Sequence, residues 1–478
     1  MGGSGTLAWV PVRVRFAPSP TGFLHVGSVR AALYNWLVAR QAGGAFVLRV
    51  EDTDDARNRE EWVDAIDASL RWVGLDWDER YRQSERAERH AAAADTLIAA
   101  GRTYWCDCTR DEVEARSRER GGPPGYDGHC RDLGKGPGAE SALRFRTPDE
   151  GATTVVDVVR GEPSFPNASI EDPVIVRSTG KVMFLLANVA DDIDMAITHV
   201  VRGEEHLPTT PKYLLLWDAL GGGEHPVFAH LPVIVNERRQ KLSKRRDPVA
   251  LELYRDEGYL PEVMLNFLAL IGWSPPDGRE RFTLDEMVAE FRLEDVGRSP
   301  GFFDVTKLRA FNGDTIRALT TEAFIERSQP WLSGPLAPWP AGTYDPEVFG
   351  AVAPLVQERV AVLSEVPAMV EFLLLADIAL DEGDWQKAVK PAGVAQLLDE
   401  VIERWADVAW EHEGGVSEPL KDTLFAIGDG VGLNRKRAQA PVRVAVTGHG
   451  VGPPLFESLV VLGRSRTLQR LRDARARL

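Results

Sequence analysis

The sequence of 478 residues is poor in cysteine, in long apolar runs and in net positive charge. Its three cysteines are too few for the disulfide framework of a secreted domain. No apolar stretch approaches the roughly 18 residues that a membrane-spanning helix needs. The N-terminal segment also lacks the basic and apolar regions of a signal peptide. Together these absences predict a cytoplasmic protein.

The charge balance limits how the chain can bind nucleic acid. Its formal net charge of −16 excludes an indiscriminate binder, since affinity for phosphate backbones depends chiefly on lysine and arginine. Two basic patches remain, one at 238–246 and one in the tail at 464–478. In the tail, Leu468 and Leu471 share one helical face and arginines cover the rest. A solvated terminal helix and an RNA contact both fit this pattern.

The segment from Arg15 to Ser28 has the pattern of a phosphate-binding corner. Its sequence, RFAPSPTGFLHVGS, joins a short alternating strand to a turn of prolines and glycine, and helical spacing follows from Val29 to Arg40. His25, Gly27 and Ser28 are therefore expected where strand gives way to helix. Free backbone amides and the helix dipole make such a junction an anion site. A turn with a capping polar residue is the simpler interpretation.

A second motif, KLSKR from Lys241 to Arg245, lies in a basic run that ends at Arg246. Alone, such a run indicates a solvated loop or a polyanion patch. Together, the two motifs resemble the paired signatures of class I aminoacyl-tRNA synthetases, HIGH as HVGS and KMSKS as KLSKR. The strings RFAPSPTG, RVEDTD and VVRGEEHLPTTP make the chain similar to bacterial glutamyl-tRNA synthetases in particular. This resemblance extends over nearly the whole chain.

The resemblance implies an ATP site and a set of catalytic residues. The catalytic set is His25, Gly27, Ser28, Lys241 and Lys244, and the ATP-binding set is His25, Gly27, Glu205 and Lys244. His25 would donate to the phosphates, and Gly27 would let the adenosine moiety pack closely. The lysines would neutralise pyrophosphate, and Mg²⁺ would accompany ATP. Ser28 replaces the second histidine of the motif, which leaves a weaker, uncharged donor.

The resemblance also implies a pocket for glutamate, formed by Arg15, Ser19, Glu51, Phe184, Asn188 and Arg202. A buried carboxylate needs cationic partners, and Arg15 and Arg202 would supply them. Glu51 would hold the ammonium group of the substrate. Phe184 stands where the family usually has tyrosine, so one hydrogen bond to the substrate is missing. An arginine at a strand end more often forms a surface ion pair, so these roles depend on the resemblance.

A second candidate site is a zinc centre. The three cysteines are Cys106, Cys108 and Cys130. Their spacing in a glycine-rich stretch suits tetrahedral coordination. Tyr126 is the preferred fourth ligand, because its YxxxC spacing matches a zinc-binding pattern in the synthetase superfamily; Asp132 is the alternative, and His129 is chemically suitable too. Zinc here would be structural and would shape the module that holds the tRNA acceptor end. Three reduced cysteines in a metal-free loop are the simpler interpretation.

The order of predicted elements indicates the fold. Alternating strands and helices at the start of the chain predict a parallel sheet covered by helices. The resemblance implies an α/β Rossmann-type catalytic domain with an inserted acceptor-binding module, then an all-α anticodon-binding region. The predicted boundaries are 10–105 and 186–248 for the two catalytic halves, 106–185 for the insert, 249–322 for a stem-contact domain and 323–478 for the anticodon-binding domains.

The implied function is ATP-dependent activation of L-glutamate to glutamyl-adenylate and its transfer to the 3′ terminal adenosine of tRNA(Glu), by a monomer. Gln357 lies where synthetases restricted to this tRNA often carry arginine, so we predict that tRNA(Gln) is charged as well. An ordinary exposed helix residue is the alternative for Gln357.

Two other functions fit parts of the sequence. A truncated paralogue that glutamylates the queuosine base of tRNA(Asp) shares the motifs but lacks the long helical extension. A catalytically silent RNA-binding or regulatory relative would not need the two lysines of KLSKR.

Overall fold

The computed structural model describes residues 11–54, 57–121, 125–243, 247–408, 410 and 418–478. The chain divides into two compact units. The first comprises Met1–Leu253 with Pro261–Asp304, and the second Tyr254–Leu260 with Val305–Leu478. Within the described ranges, no helix combines the length and the apolar character needed to cross a bilayer.

Strands and helices alternate in the first unit and its boundary. In chain order they are β1 (Arg13–Phe16), α1 (Val26–Gln41), β2 (Ala45–Val50), α2 (Glu60–Trp72), β3 (Glu79–Arg82), α3 (Ala87–Ala99), β4 (Thr103–Cys106), α4 (Arg110–Arg120), β5 (Ala142–Phe145), β6 (Ala152–Thr154), β7 (Ser164–Pro166), β8 (Val174–Val176), α5 (Phe184–Asp194), β9 (His199–Gly203), α6 (Thr210–Ala219), β10 (Val227–Leu231), β11 (Ile234–Val235), α7 (Leu251–Asp256), α8 (Pro261–Ala269), α9 (Leu284–Glu290) and β12 (Gly301–Phe302).

The main sheet of this unit has five strands in the order β10–β9–β1–β2–β3, and each neighbouring pair is parallel. From β1 the chain proceeds outward through β2 and β3 on one side, and β9 and β10 lie on the other. The strand order therefore reverses between β1 and β9. Ligands bind at such a reversal, beyond the carboxyl ends of the strands. The predicted parallel α/β fold is confirmed.

Helix α1 begins earlier than its spacing predicts. The apolar periodicity starts at Val29, whereas the helix starts at Val26 with His25 as its N-cap. Gly27 and Ser28 obscure the pattern because both residue types are poor in helix interiors. The side-chain cap compensates by holding an amide of the first turn.

A segment inserted between β3 and β9 forms two small sheets. Strands β4, β5 and β8 are antiparallel in the order β4–β5–β8, and β6 pairs with β7 as a hairpin. The connection between β6 and β7 carries Asp157, which bridges to Phe228 of β10. This contact brings the inserted segment against the edge of the main sheet.

Helices are the only regular elements among the described residues of the second unit, which confirms the predicted all-α region. Its helices after α7 are α10 (Val305–Ala318), α11 (Thr321–Leu332), α12 (Pro346–Gln357), α13 (Val366–Leu374), α14 (Glu382–Val389), α15 (Val394–Asp407), α16 (Glu418–Gly430), α17 (Arg435–Thr447), α18 (Leu455–Leu462) and α19 (Arg464–Arg475). The finer division into five domains stays a prediction.

Candidate active site

A cavity of about 520 Å³ lies at the carboxyl end of the main sheet, lined by the end of β1 and the residues after it, by Glu51 after β2, by the end of β9 and by residues that follow β10. Every predicted amino-acid and ATP residue in the described ranges lines it: Arg15, Ser19, His25, Gly27, Ser28, Glu51, Phe184, Asn188, Arg202, Glu205 and Lys241. Lys244, together with Arg245 and Arg246, lies outside the described residues. The structure thus brings two distant motifs to one cavity, while the individual roles stay predictions.

Arg15 is held in place by a fully buried carboxylate. Its Nε lies 3.2 Å from both oxygens of Asp192, which also accept hydrogen bonds from Arg49 at 2.6 Å and from the Tyr213 hydroxyl at 2.9 Å. Although burial opposes it, Arg15 and Arg49 lower the pKa of Asp192 below its ordinary value. Among the described residues the two Nη groups of Arg15 have no hydrogen-bond partner. A guanidinium fixed through Nε presents that pair as a fork for a carboxylate.

Glu51 follows directly after β2. Its carboxylate provides a negative charge in the cavity, opposite in sign to that of Arg15. Its Oε1 accepts hydrogen bonds from Asn188 Nδ2 at 2.7 Å and Arg49 Nη2 at 3.3 Å. Burial raises the pKa of Glu51 to about 7, although Arg49 and Arg15 oppose the shift. A buried carboxylate that is so costly to ionise favours a cationic ligand group.

Arg202, near the end of β9, has a different set of partners. Its Nε donates to His230 Nε2 at 3.2 Å, and its Nη2 donates to Thr210 Oγ1 at 2.9 Å. No carboxylate of the described residues forms an ion pair with it. Burial, with the nearby charge of Arg15, lowers the pKa of Arg202 to about 10. A desolvated cation without a counter-ion makes this wall of the cavity attractive to an anion.

His25 lies at the start of α1 with its tautomer defined. Its Nδ1 accepts the backbone N–H of Gly27 at 2.9 Å. The proton of the neutral imidazole is therefore on Nε2, which becomes a donor. A Cβ at position 27 would stand 3.1 Å from His25 Nδ1, so a larger residue would require the imidazole to shift by a few tenths of an ångström. Gly27 therefore leaves the cap of α1 undisturbed.

The remaining wall residues differ in exposure. Lys241 Nζ lies 3.5 Å from Glu205 Oε1, and both side chains are about half exposed. Phe184 begins α5 and is 43% exposed, with no hydroxyl to offer a ligand. Burial, with Arg202, lowers the pKa of His206 to about 4, so this cavity residue is neutral at physiological pH.

Several residues around the cavity were not predicted from the sequence. Arg30 is buried in its wall and donates through Nη1 to the carbonyl of Ile271 at 3.0 Å and through Nη2 to that of Pro232. Arg49 and Asp192 form the layer behind Arg15 and Glu51. One signal was available: two adjacent aspartates, Asp191 and Asp192, follow the largely apolar first half of α5, and buried carboxylates require partners.

The three cysteines converge in the inserted segment, with their sulfur atoms within 4.8 Å of one another. Cys108 and Cys130 Sγ are 3.4 Å apart, close to the roughly 3.8 Å expected between thiolates on a tetrahedral zinc ion. The buried Tyr126 hydroxyl accepts from the Cys130 amide at 2.8 Å and lies beside Cys106. Three sulfurs and one oxygen fit a zinc ion.

The other candidate ligands lie away from the sulfurs. The Asp132 side chain is 79% exposed and pairs with Arg146 at 2.9 Å. His129 is exposed as well. The geometry therefore supports Tyr126 over Asp132 and His129.

Gln357, at the end of α12, is buried rather than exposed. Its Nε2 donates to the carbonyls of Ile316 and Leu319, both at 2.8 Å. Both amide hydrogens thus satisfy carbonyls at the end of α10. The alternative of an ordinary exposed residue is wrong.

Comparison with known proteins agrees with this geometry. A family model for class I tRNA synthetases (E and Q), catalytic domain, matches residues 11–310, and an anticodon binding domain model matches 323–475. The glutamate–tRNA ligases of Frankia casuarinae and Salinispora tropica are 56% and 57% identical, over 98% and 97% of this chain and 98% and 100% of theirs.

A solved structure shows the same fold. It is a glutamate tRNA ligase from Elizabethkingia meningosepticum in complex with its amino acid, with a TM-score of 0.80, 30% identity and coverage of 98% of this chain and 99% of that one. Fold, cavity and full-length similarity agree: the chain belongs to the class I tRNA synthetases, among the glutamate–tRNA ligases.

Proposed function

We propose that this chain activates L-glutamate with ATP and transfers it to the 3′ terminal adenosine of tRNA(Glu). The observation that carries the proposal is the arrangement of charge in the cavity. Arg202 has no carboxylate partner among the described residues, Arg15 presents two open Nη groups, and Glu51 provides a buried carboxylate. Two anion sites and one cation site match the two carboxylates and the ammonium group of glutamate.

The first step forms glutamyl-adenylate. An oxygen of the glutamate α-carboxylate attacks the α-phosphorus of ATP, the bond to the bridging oxygen breaks, and pyrophosphate leaves with its negative charge. His25 donates from Nε2 to a phosphate oxygen, and Lys241 neutralises charge on pyrophosphate. Lys244 is proposed for the same task. Mg²⁺ would accompany ATP and would supply further positive charge for this neutralisation.

The second step transfers the amino acid. A hydroxyl of the terminal ribose attacks the glutamyl carbonyl, the new ester bond forms, and AMP leaves with the electrons of the cleaved bond. The protein contributes mostly position and fixed charge, as is usual for such transfers. Because its substrate is tRNA, we place the enzyme in the cytoplasm. The charged groups of the cavity are complete within one chain, which supports a monomer.

Zinc is proposed as a structural ion of the inserted segment, held by Cys106, Cys108, Cys130 and Tyr126. Its support is the convergence of three sulfurs beside a buried phenol. Metal analysis of the purified protein is expected to find one zinc. Tyr126→Phe is expected to weaken its retention against a chelator, whereas Asp132→Ala leaves retention unchanged. A metal-free preparation that is folded and active would refute the zinc.

Use of tRNA(Gln) is proposed on the chemistry of position 357. Both amide hydrogens of Gln357 bond to backbone carbonyls, and the side chain carries no charge. The structure therefore offers no cation from this side chain with which to select one anticodon. Charging both purified tRNAs tests the idea, and no glutamylation of tRNA(Gln) would contradict it.

The main experiment is ATP–pyrophosphate exchange with glutamate, run with and without tRNA(Glu). Exchange in the presence of tRNA(Glu), followed by ester formation, is expected. Absence of exchange with tRNA(Glu) present would favour the catalytically silent alternative. Glutamylation of tRNA(Asp) alone would favour the queuosine alternative, against which the anticodon-binding match at 323–475 already argues.

A further inference from the structure

One buried histidine beside the cavity has no part in the proposed reaction. His230 lies on β10 directly opposite Arg202 of β9 in the parallel register. It is completely buried, and it does not line the cavity. A buried imidazole costs free energy unless its nitrogens are hydrogen-bonded, so its partners indicate what it does.

Both ring nitrogens of His230 have a defined partner. Nδ1 lies 2.5 Å from Asp157 Oδ2, which also accepts the backbone N–H of His230 at 3.0 Å. The other oxygen of Asp157 accepts the amides of Val159 and Arg160 at 2.9 and 2.7 Å. Nε2 lies 3.2 Å from Arg202 Nε and 3.0 Å from the Thr210 hydroxyl, which can also donate to it. The three side chains thus form a chain of contacts from Asp157 through His230 to Arg202.

The direction of the hydrogen bonds follows from chemistry. An arginine Nε carries a hydrogen and only donates, so His230 Nε2 is the acceptor and bears no proton. The proton is then on Nδ1, where the Asp157 carboxylate accepts it. Burial lowers the pKa of His230, with help from Arg202 and against Asp157, which agrees with a neutral ring. Asp157 therefore selects the one tautomer that can accept from Arg202.

We propose that Asp157 and His230 are positioning residues that orient Arg202 for the substrate carboxylate. This inference rests on the proposed function of the cavity. With Nε held by His230 and Nη2 held by Thr210, the plane of the guanidinium is defined. Nη1 has no partner among the described residues and is left for the ligand. Asp157 belongs to the inserted segment and does not line the cavity, so it acts on the cavity only through His230.

A matched pair of variants tests the proposal. His90 is also a buried histidine bonded to an aspartate, with Nε2 2.9 Å from Asp191, but neither residue lines the cavity. His230→Leu is expected to weaken glutamate binding about tenfold, since a hydrogen bond to a charged group is lost. Calorimetric binding without ATP and the KM for glutamate in the exchange assay measure this change. The KM for ATP is expected to stay unchanged. His90→Leu is expected to change neither constant.

Two further variants distinguish loss of the positioning role from simple unfolding. His230→Gln offers an amide oxygen to Arg202 and is expected to recover part of the affinity. Asp157→Asn places an NH₂ group against Nδ1, favours the wrong tautomer, and is expected to weaken glutamate as His230→Leu does. Equal glutamate affinity in the wild type, His230→Leu and Asp157→Asn would overturn the inference. Equal losses in the His90 and His230 variants would also overturn it, since they would indicate a merely structural role.

Measurements on the wild-type protein distinguish a failure of the proposed function from a failure of the positioning role. If it neither binds nor activates glutamate even with tRNA(Glu), the proposed function fails and the inference falls with it. If it activates glutamate and the His230 and Asp157 variants do so with unchanged KM, the function stands and only the positioning role fails.

Discussion

Arg202 in the first unit and Arg470 in the second are two desolvated arginines with opposite designs. Burial lowers the pKa of each to about 10, helped by Arg15 in one case and Arg466 in the other. Arg470 Nη1 donates to the carbonyls of Phe372 and Val446, both at 2.8 Å, and its Nη2 donates to those of Leu375 and Ala376 at 2.9 and 3.3 Å. Arg202 retains an Nη group with no partner among the described residues.

This difference separates a structural cation from a binding cation. Arg470 donates hydrogen bonds to carbonyls at the end of α13, where a helix leaves acceptors unpaired. Its Nη groups are therefore used within the protein. Arg202 is held by the neutral side chains of His230 and Thr210 and has no ion pair with any carboxylate of the described residues. A similar perturbation of pKa therefore has two meanings, and the hydrogen-bond partners distinguish them.

The largest expected effect comes from Arg202→Leu. Loss of one partner of a desolvated ion pair costs about 3–5 kcal/mol, or roughly two to four orders of magnitude in kcat/KM for glutamate. The melting temperature is expected to hold or rise, because an uncompensated charge is removed from the unliganded protein. Exchange kinetics and thermal unfolding measure the two effects. A variant that loses stability and keeps activity would reverse the comparison.

Arg470→Leu is expected to show the reverse pattern. Carbonyls that lose their donors in a buried site destabilise the second unit by about 2–4 kcal/mol. Hydrogen exchange at α13 and α17 measures this loss. The KM for glutamate is expected to be unchanged, since Arg470 is not among the cavity residues. Full stability of the variant would show that Arg470 is not structural.

The pH dependence of glutamate binding tests the opposite charge of the cavity. The pKa of Glu51 is raised to about 7, so the carboxylate is lost as the pH falls through 7. At pH 6 about one-tenth is ionised, and the KM for glutamate is expected to be about tenfold higher than at pH 8. Glu51→Gln is expected to have a high KM that does not change over this range. A flat wild-type profile would contradict the role of Glu51.

The smallest expected effect is that of Gln357→Met. This change removes two hydrogen bonds to buried carbonyls at nearly constant volume and is expected to cost about 1–2 kcal/mol of stability. Denaturant unfolding measures it. Glutamate activation is expected to be unaffected, as for Arg470→Leu. A change in the KM for glutamate would show that Gln357 also influences the cavity.

The sequence predicts the cavity better than it predicts what supports the cavity. Motif residues such as His25 and Lys241 are recognisable because their spacing along the chain carries the signal. Asp157 and His230 are 73 residues apart, and their pairing depends on a hairpin that meets β10. Local periodicity contains no information about such a contact.

Contacts between distant elements also explain why the burial of two residues in the second unit could not be predicted from the sequence. Arg470 sits in a polar, arginine-rich tail, yet it is buried against carbonyls from α13 and α17. Gln357 is likewise buried by a contact with α10 rather than by its own helix pattern. In both cases an orphaned helix end, which is not visible in the pattern of side chains, determines the burial.

The layer of ions under the cavity has a consequence for the choice between glutamate and glutamine. Arg15, Arg49 and Arg202 lie near two carboxylates, Glu51 and Asp192, and Arg30 is a further buried cation in the wall. Positive charge therefore exceeds negative charge in this layer. Glutamate brings one negative charge in total and reduces that excess. Glutamine has nearly the same shape but no net charge, so it would leave the excess uncompensated. Discrimination between these two amino acids thus depends on the net charge that each brings to the cavity.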